Sequence, residues 1–310
     1  MTGSDRLPSV SVVIPTHDRP DFLRAAVRSV LEQDYGGRVE AVVVFDGCEP
    51  SELPRVESTG ARAVKSLTNS RKPGPLGARN TGILAARGDI VAFLDDDDEW
   101  LPSKLTRQVE MLMSRSVDMV FSGVRFVAGD RYRNYIPKLP ADDPIRGLLG
   151  GGVFIPIQTV IVWRRSLEPD LLDENFPTGG DQELAFRLIT KLRTECIPEP
   201  LVIMNRAHTK RGSMRYETRL KNVEYMRLKH ADLFAEYRPN LARSHARSAL
   251  LALGNRKRAD ALKWAARSLR ANPRRAHSWL VALVVLFLPP IGLDTLQALH
   301  HRLLWRRVRA

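Results

Sequence analysis

Three short apolar runs constrain this chain most: Val10-Ser11-Val12-Val13-Ile14, Val39 to Phe45, and Asp89-Ile90-Val91-Ala92-Phe93-Leu94. Each is almost continuously apolar and rich in β-branched residues, as in a strand buried on both faces. A turn former or a charge stops each one, at Pro15, Asp46-Gly47 and Asp95. Between the first two lies a segment of helical period. It is entered at Pro20, carries Phe22, Leu23, Ala26, Val27, Val30 and Leu31 on one face, and ends at Gly36-Gly37. Arg62 to Leu67 reads as a further strand and Gly77 to Ala86 as a helix. Pro102 sits near the first turn of another helix, with Leu105, Val109 and Leu112 on one face. Strands separated by helices need right-handed crossovers, so the expected fold is α/β, with a mostly parallel central sheet and helices on both faces. Such sheets bind ligands beyond the carboxyl ends of their strands, where Asp46 and Asp95 to Asp98 fall.

Downstream the pattern changes. Asp118 to Trp163 is strand-like and richer in Gly and Pro, which suggests an antiparallel extension covering the site. Asp181 to Leu192 is expected as a helix and Leu201 to Met204 as a short strand. Beyond about Arg211 the sequence is helical. Ala242 to Pro273 has the alanine spacing, the turn glycine (Gly254) and the closing Asn272-Pro273 of one tetratricopeptide-like hairpin. A single such unit cannot bury both its faces and must lean on the α/β domain or a partner. The expected division is an α/β domain over 1–213 and a helical region over 214–310, with the hairpin at about 242–273 and a basic, apolar tail at about 274–310.

The chain has 310 residues, a formal net charge of +13 and a pI of about 10.2. That balance implies an anionic partner. The excess is concentrated late: after Leu241 the only acidic residues are Asp260 and Asp294. No basic motif interleaved with aromatics supports a nucleic-acid partner. Cys48 and Cys196 have no metal-type spacing and are expected as reduced thiols. Met1 to Ser9 lacks the apolar core of a signal peptide. No run reaches the roughly 20 apolar residues of a membrane span. The nearest, Trp279 to Leu288, is interrupted by Pro289-Pro290. The expected location is cytoplasmic.

Chemistry concentrates in Phe93-Leu94-Asp95-Asp96-Asp97-Asp98-Glu99-Trp100. Four consecutive carboxylates at the end of a buried strand repel one another unless a cation is present. Hard oxygen donors suit Mg²⁺ or Mn²⁺; the plainer reading is a solvated turn before the helix at Pro102. The run lacks the Gly and Glu that would complete an EF-hand loop. Asp46 is either a base- or ribose-binding carboxylate or half of an ordinary Asp-Gly turn. Gly74-Pro75-Leu76-Gly77-Ala78-Arg79-Asn80-Thr81-Gly82 is a flexible loop entering a helix, with Arg79 in position to meet phosphate. It has neither the dinucleotide nor the Walker glycine spacing.

Taken in order, Pro15-Thr16-His17-Asp18-Arg19-Pro20, the Asp46-Gly47 turn, Gly-x-x-Gly-Ala-Arg-Asn-x-Gly and Phe-Leu-Asp-x-Asp-Asp-x-Trp-x-Pro form a specific series. The series resembles glycosyltransferase family 2, enzymes of the GT-A fold. The likeness continues through Gly179-Gly180-Asp181-Gln182-Glu183-Leu184-Ala185-Phe186-Arg187-Leu188 and fades after about Ser213. It implies that Pro15 and His17 line a nucleotide pocket, that Asp46 contacts the base, and that Arg79 serves the base or diphosphate. It also implies that Asp95 and Asp96 lie near the ribose and metal-bound water, and that Asp97 binds Mg²⁺ or Mn²⁺. His208 falls where related enzymes have a His approaching the metal; an exposed surface His is the alternative. Asp181 matches the family's catalytic base, and its plain alternative is a cap for the following helix. The chain departs from the family at Phe45, where a first Asp is usual, and at Gly180, where Glu is common.

The resemblance implies an inverting transfer from a nucleotide-diphosphate sugar, UDP-sugar favoured, to a glycan or lipid-linked acceptor in envelope or surface glycan synthesis. Two other readings remain: a metal-dependent nucleotidyltransferase, and a non-catalytic nucleotide-sugar or glycan-binding module. The apolar stretch Trp279 to Leu293, flanked by Arg274, Arg275, Arg302, Arg306, Arg307 and Arg309, reads as an interfacial anchor on the inner face of an anionic membrane. An ordinary packed helix with solvated arginines is the alternative.

Overall fold

The computed structural model describes residues 6–54, 60–140, 143–149, 153–167, 171–176, 179–205, 216–287 and 306–307. The chain opens with β1 (Val10–Thr16), α1 (Pro20–Leu31), β2 (Val39–Phe45), β3 (Arg62–Thr68), α2 (Pro75–Ala85), β4 (Ile90–Phe93), β5 (Asp98–Trp100) and α3 (Lys104–Ser114). Then come β6 (Met119–Ala128), β7 (Arg131–Tyr135), α4 (Pro144–Leu149), a 3-10 turn at Ile157–Thr159, β8 (Ile161–Trp163) and α5 (Arg164–Leu167). The remainder is α6 (Gly180–Lys191), β9 (Thr194–Asn205), α7 (Tyr216–Lys229), α8 (Ala231–Glu236), α9 (Arg238–Gly254), α10 (Arg258–Ala271), α11 (Ala276–Phe287) and β10 (Arg306–Arg307).

The strands form one sheet of order β10-β7-β6-β8-β4-β1-β2-β3. The block β4-β1-β2-β3 is parallel, with Val10 opposite both Val39 and Ile90. Their carboxyl ends therefore open on one edge, the geometry that the apolar runs predicted. β8 lies antiparallel between β4 and β6, and β7 forms an antiparallel hairpin with β6. β9 runs parallel to β6 on its other side and pairs antiparallel with β5.

Alternation along β1 sorts the helices onto two faces. Val12 and Ile14 join Leu23, Val27 and Val30 of α1 and Leu105, Val109 and Leu112 of α3 in one core. Val13 joins Ile83 of α2 and Leu184, Ala185 and Leu188 of α6 in the other. Both faces are covered, which is why the strands carry so few polar residues.

Two local differences from expectation matter near the site. β9 is much longer than Leu201 to Met204, because Thr194 onward pairs with β6. Its Pro198-Glu199-Pro200 segment hides the strand in the sequence. The ladder absorbs it by register shifts between Ser122 and Val124, leaving Pro198 and Glu199 outside the paired register. The sequence marks no strand over Asp98–Trp100; pairing with β9 draws Asp98 into one and buries it.

The carboxy-terminal helices divide by their packing. Met226 of α7, Leu233 and Phe234 of α8 and Leu241 of α9 pack with Leu149 and Phe186 of the α/β part. α9, α10 and α11 share a separate core built on Ala246, Ala249, Ala261, Trp264 and Val285. The hairpin leans chiefly on a third helix, α11, in place of the expected α/β domain or partner, and meets the α/β part through Leu241 at the start of α9. Among the described residues no helix is long and apolar enough to cross a membrane. Cys48 and Cys196 are free thiols.

Candidate active site

The loops after β1, β2 and β4 converge at the carboxyl edge of the sheet. β1 hands on to Thr16, whose Oγ1 donates to Asp96 Oδ2 at 2.8 Å. Arg19, three residues on, reaches both Asp96 and Asp97 at 3.2 Å. Both residues stand in the quoted Pro15 to Pro20 motif, but neither was assigned a role from sequence. Pro15 is buried within β1 opposite Val44. His17 is exposed, with Nδ1 2.6 Å from the Asp46 carbonyl oxygen. Since a carbonyl can only accept, Nδ1 carries the hydrogen and a neutral ring keeps Nε2 as an acceptor.

Asp46 orders the neighbouring loop. Its Oδ1 accepts from Asn69 Nδ2 at 2.7 Å and its Oδ2 from the Gly74 backbone N–H at 2.8 Å. Asn69 in turn accepts from Thr81 of α2 at 2.8 Å and donates to the Lys72 carbonyl at 3.2 Å. The carboxylate thereby fixes the loop that leads into α2, whichever ligand groups it also meets. Gly82 lets α2 lie close to β1 and β2, since a Cβ there would collide with Val13 and sit 3.2 Å from Val44.

The acidic run separates into two environments. Asp95, Asp97 and Asp98 each offer a carboxylate oxygen, and these oxygens lie within 4.8 Å of one another. Three hard donors at that spacing fit Mg²⁺ or Mn²⁺. Asp96 turns away, towards Thr16 and Arg19. Burial pushes the Asp96 carboxyl up, and the charges of Asp97 and Asp95 add to it against the pull of Thr16 and Arg19. Asp98 Oδ1 accepts from the Asn205 backbone N–H at 3.1 Å, and the Asn205 side chain donates to the Asp97 carbonyl at 3.3 Å. The end of β9 is thus pinned beside the cluster. His208 lies just past this point, outside the described residues.

Arg79 is the cation at the centre of the site. Only 6% exposed, it ion-pairs with Asp95. Burial works against its charge, but Asp95, Asp181 and Asp96 together raise its pKa above the ordinary value. Gln158 Nε2 donates to the other oxygen of Asp95. Trp100 Nε1 holds the Gln158 carbonyl at 3.2 Å, and Gln108 Nε2 holds that of Thr159 at 2.8 Å. Arg79 Nε and Gln158 Oε1 are buried polar atoms without a protein partner. Atoms of that kind beside a cluster of charges are the ones a polar ligand satisfies.

Asp181 lies in the first turn of α6, after Gly179, whose φ of 72° lies in the left-handed region. Burial pushes its carboxyl up, Arg79 pulls it down, and Asp95 pushes it up again, for a net rise. It is therefore a stronger base than an ordinary aspartate. The mutual effects of Arg79, Asp95, Asp96 and Asp181 join residues drawn from α2, the β4–β5 turn and α6 into one electrostatic unit. Gln158 carried no sequence signal, since it stands in an apolar stretch far from the other motifs.

The sequence profile described as Glycosyl transferase family 2 matches residues 11–172. The UDP-Glc:alpha-D-GlcNAc-diphosphoundecaprenol beta-1,3-glucosyltransferase WfgD of Escherichia coli is 30% identical over 118 residues, covering 38% of this chain and 46% of that protein. The chain spans about half the length of the curated relatives it matches. Staphylococcus aureus TarS 1–349 in complex with UDP-GlcNAc superposes with a TM-score of 0.55 at 17% identity, covering 89% of this chain and 90% of that one. The mannosyltransferase PcManGT of Pyrobaculum calidifontis, in complex with GDP-Man and Mn²⁺, gives 0.51 at 17% identity over 97% of this chain and 81% of its own. These likenesses establish the fold as GT-A, followed here by helices.

Proposed function

Because the chain belongs to glycosyltransferase family 2, we propose that it moves a sugar from a nucleotide-diphosphate donor to an acceptor hydroxyl with inversion at the anomeric carbon. The observation that carries this reading is the electrostatic unit formed by Arg79, Asp95 and Asp181 beside the three-carboxylate cluster. Asp95, Asp97 and Asp98 would hold Mg²⁺ or Mn²⁺, with His208 a further candidate ligand. Such a cation, when bound, neutralises charge on a diphosphate. Asp181 takes the proton of the acceptor hydroxyl. The acceptor oxygen then bonds the anomeric carbon as the bond to the diphosphate oxygen breaks, and the electron pair leaves with the nucleotide diphosphate. Arg79 stabilises the charge that develops there. The raised pKa of Asp181 suits it to the proton transfer.

Pro15, His17 and Asp46 belong to the nucleotide side, with Asp95 and Asp96 towards the ribose. UDP-sugars are the favoured donors: WfgD is named for UDP-Glc and TarS was solved with UDP-GlcNAc, although PcManGT was solved with GDP-Man. The acceptor is a glycan or lipid-linked glycan of envelope or surface polysaccharide synthesis, as WfgD's diphosphoundecaprenol-linked substrate suggests. The reading places the catalytic domain at 1–213 and an anionic membrane surface against the helical region 214–310, from the cytoplasmic side. α11 supports that second partner. Val281 and Val285 face its helical neighbours, while Trp279, Leu280, Leu283, Leu286 and Phe287 are each about half or more exposed. The region around it is strongly basic. An apolar face within a basic surface suits anionic lipid, whereas two such faces would repel.

A thermal-shift panel of UDP- and GDP-sugars with Mn²⁺ or Mg²⁺ tests the site. Stabilisation that requires metal and disappears in Asp97→Ala is expected; no response to any nucleotide would sink the proposal. Asp181→Asn should keep that response and lose sugar transfer. Nucleotidyl transfer to a sugar phosphate that survives in Asp181→Asn would instead favour the nucleotidyltransferase reading.

A further inference from the structure

We propose that the junction of α7 and α8 positions the base of the sugar-transfer site: Lys229, the last residue of α7, and His230, which follows it, grip Glu183, and through it fix the turn that aims Asp181. The proposal rests on the assignment of Asp181 as base. Glu183 follows Asp181 by two residues, both within the first turn of α6, and is fully buried. Its carboxylate meets Arg187 Nε at 2.8 Å, His230 Nε2 at 3.1 Å and Lys229 Nζ at 3.2 Å. Arg187 belongs to the same helix, so its bond to Glu183 stays within α6, while its Nη2 donates to the Leu171 carbonyl at 2.7 Å. Lys229 and His230 lie outside α6, and theirs are the bonds to Glu183 that cross.

The same helix end also holds the segment leading into α6. Lys229 Nζ reaches Asp173 Oδ2 at 2.7 Å, and Tyr225 Oη donates to the same oxygen at 3.0 Å. The Tyr225 ring stands edge-on to Phe176 at 5.0 Å, and the His230 ring edge-on to Phe186 at 4.6 Å. Asn222 lies beside Gly179, 3.9 Å from where a Cβ would be. Contacts from α7 and His230 therefore reach 173–176 on one side of Asp181 and 183–186 on the other. A buried carboxylate is tolerated only while its partners stay in place, so the grip on Glu183 fixes α6 at its first turn. The cluster carboxylates hang on the β4–β5 turn and Asp46 on the end of β2; Glu174 ties the 173–176 segment to Arg71 and to Asn80 of α2, through bonds that neither Lys229 nor His230 makes. Loosening α7 should disturb the base and spare nucleotide and metal binding. The helices beyond 213 are then part of the catalytic apparatus as well as a partner surface.

The test is the full-length double variant Lys229→Met/His230→Phe, in which the aromatic ring against Phe186 is kept, beside wild type and the single variant His230→Gln, which keeps an N–H donor. Amide exchange at 180–184 should quicken about tenfold or more in the double variant while β1, β2 and β4 stay protected. Affinity for UDP with Mn²⁺ should be unchanged. Release of UDP from UDP-glucose or UDP-GlcNAc should lose about a hundredfold in kcat at constant donor KM, as small misplacements of a reacting group do. His230→Gln should restore most of both. A folded double variant with wild-type exchange at 180–184 overturns the proposal. So does quickened exchange with unchanged kcat. If Asp181→Asn releases UDP at the wild-type rate, the base assignment fails, and exchange still judges the α7 contact by itself. Where neither donor is turned over, exchange alone decides.

Discussion

Arg79→Met removes the positive charge around which the carboxylates of the site are arranged. The Arg79 side chain is 8% exposed and pairs with Asp95, whose side chain is 28% exposed. Breaking a buried pair costs about 3–5 kcal/mol, because the surviving charges are stranded. The partial exposure of Asp95 puts this case at the lower end, about 3 kcal/mol. For a chain of 310 residues, that corresponds to a fall in melting temperature of about 5 °C. The pH dependence has a definite sign. Asp181 and Asp96 already have folded pKa values above the ordinary one. Loss of Arg79 raises Asp181 further, since Arg79 is what pulls it down. A carboxyl raised on folding favours the native state while protonated, and that contribution is lost as pH rises through the folded pKa. The deficit of the variant should therefore be smaller at about pH 5 than at about pH 8. A divalent cation supplies charge in place of the arginine, so Mn²⁺ should recover more stability in the variant than in wild type. Circular-dichroism melts in EDTA and in Mn²⁺, at both pH values, measure all three effects. A variant melting within about 1 °C of wild type in EDTA at the higher pH refutes the reasoning.

Gly77→Ala would drive a Cβ into the Lys72 carbonyl, the group that Asn69 holds beside Asp46. It should cost about 1–3 kcal/mol, as overpacking does, and weaken nucleotide binding in calorimetry; unchanged affinity would show that the loop ordered by Asp46 does not touch the nucleotide. Trp279→Glu/Leu283→Glu alters side chains 54% and 49% exposed, so folding should be preserved. Co-sedimentation with phosphatidylglycerol-containing vesicles should be lost in that variant, and neutral vesicles should bind neither protein. A wild type that ignores anionic vesicles removes the membrane from the account, and one that dimerises through this face makes a second copy the occupant.

Much of the frame is decided locally and can be read from the sequence. The runs that became β1, β2 and β4 are apolar on both faces because helices cover both sides of the sheet. Their polar stops mark the strand ends at which Asp46 and Asp95 emerge, and parallel pairing alone brings those ends to one edge. The ordered motifs also named the family, because each motif is a contiguous stretch of chain. Tertiary structure decided how four adjacent aspartates divide: β5 pairs with β9 and turns Asp98 into the cluster, while Thr16 holds Asp96 apart from it and Arg19 bridges Asp96 and Asp97. It also decided that Gln158 reaches Asp95 and that α7 grips the turn carrying Asp181. Contacts between residues dozens of positions apart leave no period or spacing in the sequence. The kind of chemistry was therefore legible along the chain, and the partner of each charge only once the chain had folded.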